Sequence, residues 1–167
     1  LEYLRRKNPE LGKDEFSIGL WLGGDTTPNS RREAVTIYNG LLRGDRNTGN
    51  KFVLGRCPWC GAQMGPLKQK GRKARKAQPV PGYERSGDTV VFTCPDRECD
   101  FTGGLPVYVI DEDIYIKKPS LIIGTIDKFA MLAWRPEARA IFGLDQDGKR
   151  NSSPPGLILQ DELHLIS

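Results

Sequence analysis

The chain has 167 residues, 38% of them hydrophobic, with 19 glycines and a formal charge of +4. That is enough for one domain, or a small domain with an insertion, around a real core. No apolar run approaches the ~20 residues that cross a bilayer and no signal pattern opens the chain, so the reading is a cytoplasmic protein with no membrane partner.

Residues 1–11 read as the end of a helix, with Leu1, Leu4 and Leu11 on its apolar side. Residues 16–22 read as a strand closed by Gly23-Gly24. Ser30-Arg31-Arg32-Glu33 then offers a capping box, followed by Ala34, Ile37, Tyr38 and Leu41 at helical spacing and a stop at Gly44.

Four cysteines come next, as Cys57-Pro58-Trp59-Cys60 and Cys94-Pro95-Asp96-Arg97-Glu98-Cys99. Each pair follows a short β-prone run, residues 51–54 and 89–93. A strand delivering a Cys-turn-Cys knuckle, twice, builds a zinc ribbon. Two knuckles complete a tetrahedral four-thiolate site with no open position for water, so Zn2+ here is structural. Disulfides are the competing explanation, but nothing points to an oxidising compartment. Chelation is expected to unfold residues 51–104 and leave much of the remainder folded.

Between the knuckles, Lys68, Lys70, Arg72, Lys73, Arg75 and Lys76 place six cations in nine residues. Residues 51–80 carry eight Lys or Arg and no acid, so the rest of the chain nets −4. Such a run repels itself and reads as an exposed loop, a solvated one or a partner for nucleic-acid phosphates.

After the ribbon, residues 105–110 alternate like a strand, and 121–124 form the continuous apolar run of a strand buried on both faces. A helix is expected over 127–134, then a short one ending near Gly143, a polar loop over 145–155 and a last strand at 157–159. Strands alternating with helices imply an α/β fold with a mainly parallel sheet, whose chemistry collects at the carboxyl ends of the strands. The last apolar run leads into Asp161-Glu162-Leu163-His164. An apolar strand ending in two carboxylates is the Walker-B arrangement, in which the first holds Mg2+ and the second orients or deprotonates the attacking water. A plain acidic strand end is the simpler alternative, and a metal-dependent nuclease using the same residues is another.

Asp161-Glu162-Leu163-His164 resembles motif II, the DExH box, of superfamily 2 helicases and translocases. Gly23-Gly24 resembles the glycine doublet that approaches the nucleic-acid backbone, and residues 121–129 are similar to motif Ib, with a threonine and a helix start facing a phosphate. Residues 119–134 with 156–167 look most like the large helicases of DISARM-type phage-defence systems. The resemblance implies a partial RecA-like lobe in two parts, 1–50 and 105–167, interrupted by the zinc ribbon at 51–104. It implies ATP and Mg2+ as cofactors, with Asp161 on the metal, Glu162 as base and His164 coupling the γ-phosphate to nucleic-acid binding. Gly23, Gly24, Thr125 and Lys128 would contact the strand backbone, with the basic loop adding grip. Nucleic acid, DNA ahead of RNA, and other defence-system proteins are the implied partners. No G-x-x-x-x-G-K-[ST] loop occurs in the chain, so it is expected to be an interior piece of the first lobe, inactive alone. The alternative is a non-enzymatic zinc-ribbon adaptor for nucleic acid or protein.

Overall fold

The computed structural model describes residues 1–67 and 78–161. Three short strands, β1 (Ile18–Trp21), β4 (Val107–Tyr108) and β5 (Leu121–Gly124), form a parallel sheet in the order β4-β1-β5. Ile18 pairs with both Val107 and Leu121, and Trp21 pairs with Gly124. The chain therefore leaves β1, returns on one side of it as β4 and crosses to the other side as β5. That reversal is a topological switch point, and the crevice outside the carboxyl ends of such strands is where α/β sheets bind ligands.

Four helices accompany the strands: α1 (Glu2–Lys7), α2 (Arg31–Arg43), α3 (Asp111–Lys117) and α4 (Ile126–Ala130). Helix α2 follows its sequence signals closely. The Ser30 hydroxyl accepts from the Glu33 N–H, and Gly44 closes the helix in the left-handed conformation at φ 68°. The expected helix over 127–134 is shorter: α4 gives way to a 3-10 turn at Met131–Ala133, and a second 3-10 segment, Pro136–Phe142, ends at Gly143.

The ribbon is built on an antiparallel hairpin of β2 (Tyr83–Ser86) and β3 (Thr89–Phe92). The expected strand at 51–54 is absent. Phe52 is instead turned fully inward, edge-on to Tyr83 and Phe92 at ring distances of 5.1 and 5.6 Å. The chain turns sharply around it, with Val53 at φ 54°, a conformation that a β-branched side chain adopts only under tertiary constraint. Packing of one aromatic overrides the β propensity of its neighbours.

Among the described residues, one core cluster contains residues from both sides of position 50. Ala34, Ile37 and Leu41 of α2 share one buried cluster with Phe52, Met64, Tyr83, Val90, Phe92, Phe101 and three of the cysteines. Helix α1 docks on the knuckles: Tyr3 stacks on Trp59 at 4.6 Å, and Arg6 lies over the Phe101 ring. A second cluster, around Trp21, Ile114 and Ala138, lies under the sheet.

The segment 157–159, expected as the last strand, is irregular and exposed, with Leu157, Ile158 and Leu159 at 74, 62 and 84%. A strand forms only where a neighbouring ladder accepts its backbone groups. Among the described residues no strand pairs with this segment.

Helix α1 is held by the buried Glu2 carboxylate, which accepts from Arg5 Nε and Arg6 Nε, both at 2.8 Å, and from the Phe16 N–H at 2.9 Å. The Arg5 hydrogen bond, helped by Arg6 and Phe16 against the cost of burial, brings its pKa down from 4.5 to about 2. A depressed carboxylate stabilises the fold above its unfolded pKa and loses that contribution as the pH falls through the folded one. An acid titration should therefore release α1 between pH 4.5 and about 2, seen as a change in Trp59 fluorescence. Glu2→Gln should lack this transition; its persistence would assign it to another carboxylate.

Candidate functional site

The ligand atoms of Cys57, Cys60, Cys94 and Cys99 lie within 4.8 Å of one another, and none is in a disulfide. Cys57 Sγ and Cys99 Sγ are 4.0 Å apart, Cys60 Sγ and Cys94 Sγ 3.4 Å. Four thiolates about 2.3 Å from a tetrahedral Zn2+ stand about 3.8 Å from each other, so the donor set fits the ion. Burial pushes the pKa values of the Cys94 and Cys99 thiols up. At Cys57 burial acts the same way, but backbone N–H groups of Cys60 and Trp59 outweigh it and lower the pKa. The sequence-derived ligand set is thus brought together as a group that could hold zinc.

A second set of functional candidates meets at the carboxyl ends of the parallel strands. β1 ends at Trp21 and passes through Leu22 to Gly23-Gly24, whose turn is closed by Thr26 N–H donating to Gly23 O at 2.7 Å. β5 ends at Gly124, and the exposed Thr125 N–H donates to Trp21 O at 3.2 Å. Thr125 is therefore tied to the end of the strand that leads into Gly23-Gly24.

Lys128, one turn into α4, faces away from solvent. It is 4% exposed, and its Nζ donates to Asp111 Oδ2 at 2.5 Å and to Asn29 Oδ1 at 2.7 Å. The ammonium expected to reach a phosphate is instead half of a buried ion pair. Asp111, 5% exposed, is pushed up by burial and drawn back by Lys128 and Tyr115. Its Oδ1 has no hydrogen-bond partner among the described residues.

Sequence reasoning missed the segment that organises this region, Asp111-Glu112-Asp113 at the start of α3. Asp111 holds Lys128. Glu112 Oε2 accepts from the Arg31 N–H at 2.8 Å and so caps α2. Asp113 takes Arg31 Nε at 2.7 Å and the Thr89 hydroxyl at 2.5 Å, pinning the ribbon hairpin to both helices. Three acids in one helical first turn were the available signal. Lys51 was missed as well: its Nζ donates to Gly24 O at 2.7 Å and to Glu33 Oε1 at 3.0 Å.

A cleft of about 310 Å3 opens beside the ion pair, bordered by Asp111, Glu112, Glu137, Lys128 and Arg135. Three carboxylates against two cations give it no pull on phosphate.

Asp161 lies in irregular chain after the exposed segment 157–159. Glu162 and His164 fall outside the described residues, as do Lys68, Lys70, Arg72, Lys73, Arg75 and Lys76. The far base of that basic segment is described. Gln78 donates through its N–H to Leu42 O and through Nε2 to Leu41 O, at the carboxyl end of α2. The Gly-Gly turn sits at the other end of this 13-residue helix, about 20 Å away.

Two outcomes test this geometry. Stripping metal from the four thiolates should unfold α2 together with the ribbon, since structural zinc supplies about 10–16 kcal/mol and a whole domain holds only about 5–15. Circular dichroism that lost β signal and kept all helix would contradict the shared core. Lys128→Met should cost about 3–5 kcal/mol in urea unfolding by stranding Asp111, and adding Asp111→Leu should recover most of it. Equal stability of the single and double variants would show that the pair is not the source.

No family model matches the chain. The chain is similar to DISARM protein DrmA of Bacillus paralicheniformis, with 31% identity over 198 residues that take in 99% of this chain and 17% of that protein. It thus spans less than a fifth of the length of the relative it matches. Identity at this level along the whole chain supports a DISARM-related protein.

Proposed function

We propose that this chain is an interior part of the first RecA-like lobe of an ATP-dependent superfamily 2 DExH-box helicase or translocase acting in phage defence. The observation that supports the reading is the Thr125 N–H to Trp21 O bond, which ties the start of α4 to the end of the strand that leads into Gly23-Gly24. Backbone glycines and a threonine hydroxyl there suit a strand of nucleic acid held by its phosphates, a contact that carries no base information. The match over 17% of DrmA's length agrees with a part of a longer motor.

In that motor Asp161 holds the Mg2+ of bound ATP, Glu162 accepts a proton from the attacking water, and His164 links the γ-phosphate to the strand site. Thr125, Gly23 and Gly24 touch the backbone. Lys128 acts one step behind them, because its ammonium is engaged by Asp111 and Asn29. The cations at 68–76 add grip on the same strand. Zn2+ keeps the ribbon, and through it α2, in place. DNA is the favoured nucleic acid, and other defence-system proteins are plausible partners. Among the described residues no helix is long and apolar enough to cross a membrane.

The specific observation behind a second reading is the completeness of the cysteine cluster: an adaptor needs only the ribbon and its basic loop. ATP hydrolysis by the full-length protein, with and without single-stranded DNA, separates the two. Stimulation by DNA that is lost in Glu162→Gln supports the motor; DNA binding with no hydrolysis in either protein supports the adaptor. Neutralising the six cations of 68–76 should weaken DNA binding and flatten its salt dependence in both cases. Unchanged binding would reduce that segment to solvated surface.

A further inference from the structure

We infer that Asn29 is a positioning residue that sets the spacing between the Gly23-Gly24 turn and Thr125, held in register by the buried Lys128–Asp111 pair. The inference rests on the strand-binding reading of Gly23, Gly24 and Thr125 and adds to it a residue that no motif contains.

The two glycines are unlike each other. A Cβ on Gly23 would meet nothing within 4 Å, whereas a Cβ on Gly24 would stand 2.6 Å from Asn29 Nδ2 and 3.3 Å from its Oδ1. A Cβ on Gly24 would crowd the Asn29 amide, whose oxygen is held by Lys128; Gly23 faces open space. On its other side Gly24 is held through its carbonyl by Lys51 Nζ at 2.7 Å. Glu33 ties the two clamps together, taking the Asn29 N–H on Oε2 at 2.9 Å and Lys51 Nζ on Oε1 at 3.0 Å.

From the Asn29 amide the connection runs inward. Its Oδ1 accepts from Lys128 Nζ at 2.7 Å, and Lys128 belongs to the helix that Thr125 opens, with Lys128 N–H donating to Thr125 O at 3.0 Å. Asp111 fixes that ammonium, and the Asp111 N–H itself donates to Pro28 O at 3.2 Å, the residue before Asn29. Gly24, Asn29, Lys128 and Thr125 are thus one continuous contact chain between the two strand ends, backed by a buried ion pair that resists displacement. A phosphate grip shared between two elements needs their separation fixed to a fraction of an ångström, which is what this chain of contacts provides.

The test is binding of a fluorescent single-stranded DNA oligonucleotide to the full-length protein across a salt series. Asn29→Ala should weaken binding roughly tenfold and lower the salt slope by about one, as expected when one phosphate contact falls out of register. Asn29→Asp keeps the acceptor for Lys128 and should restore most of the loss. Gly24→Ala should reproduce the Asn29→Ala defect, Gly23→Ala should be milder, and the Gly24→Ala/Asn29→Ala double variant should be no worse than either single one, because both break the same contact. Thermal midpoint and zinc content report folding alongside. Wild-type binding by Asn29→Ala, with Thr125→Ala impaired, would overturn the positioning role and leave the strand site intact. Additive losses in the double variant would also overturn it. Absence of DNA binding by the wild-type protein would remove the strand-binding reading itself, and this inference with it.

Discussion

Parallel strands need cover on both faces and a ladder on each side, and strands of four, two and four residues cannot supply that for themselves. The fold is organised around this shortage. One face of the sheet, at Trp21 and Gly124, is closed by Phe129 of α4 and by Ile114 of α3. Elsewhere the burden passes to α2, whose apolar side is occupied by the ribbon hairpin. The hairpin is therefore part of the scaffold, and three of the four cysteines share its core with α2. An ion held by the four thiols would bear on the strand ends without touching them, because the helix carrying Ser30 and Glu33 packs on the elements the cysteines join.

The acidic turn at 111–113 completes the connection. Each carboxylate has a different partner: Lys128 on α4, the first N–H of α2, and Arg31 together with Thr89 of the hairpin. Arg31 also reaches Asp88 in the hairpin turn at 3.1 Å. Sheet, helices and ribbon meet within three consecutive residues. Such a turn concentrates negative charge at a helix start, where the backbone dipole favours it, and spreads the resulting bonds over elements far apart in sequence.

Features with local causes were legible in the sequence. α2 was readable at both ends because its cap, its N3 glutamate and its C-terminal glycine all act within a few residues. β5 was readable as a short continuous apolar run but not in its burial, since the strand expected to be buried on both faces leaves Leu121 and Ile123 53 and 50% exposed; the cysteine set was readable from its knuckle spacing. Features set by distant partners were not. Nothing local turns Phe52 inward; Tyr83 and Phe92, thirty and more residues on, do so. α3 has Ile110 at its N-cap position and no side-chain cap, so its only signals were three acids that also suit a loop. The apolar run at 157–159 has the composition of a strand and no ladder among the described residues to make it one.

Lys128 shows how a motif can point to a charge that the fold has already engaged. A lysine three residues into a helix that follows a strand-end threonine invites assignment to a phosphate, and on composition alone that assignment is sound. Two facts on other elements reverse it: a buried carboxylate at 2.5 Å and an amide oxygen at 2.7 Å. An ammonium released from both to reach a ligand would leave Asp111 charged, buried and unpaired, a penalty larger than one exposed phosphate contact returns. The lysine is better understood as the fixed point from which Thr125 and, through Asn29, Gly24 are placed. Gly24 carries the complementary lesson. A glycine doublet reads as a surface made bare for a ligand, yet a Cβ on Gly24 would meet the amide of the exposed Asn29, whereas one on Gly23 would meet nothing within 4 Å.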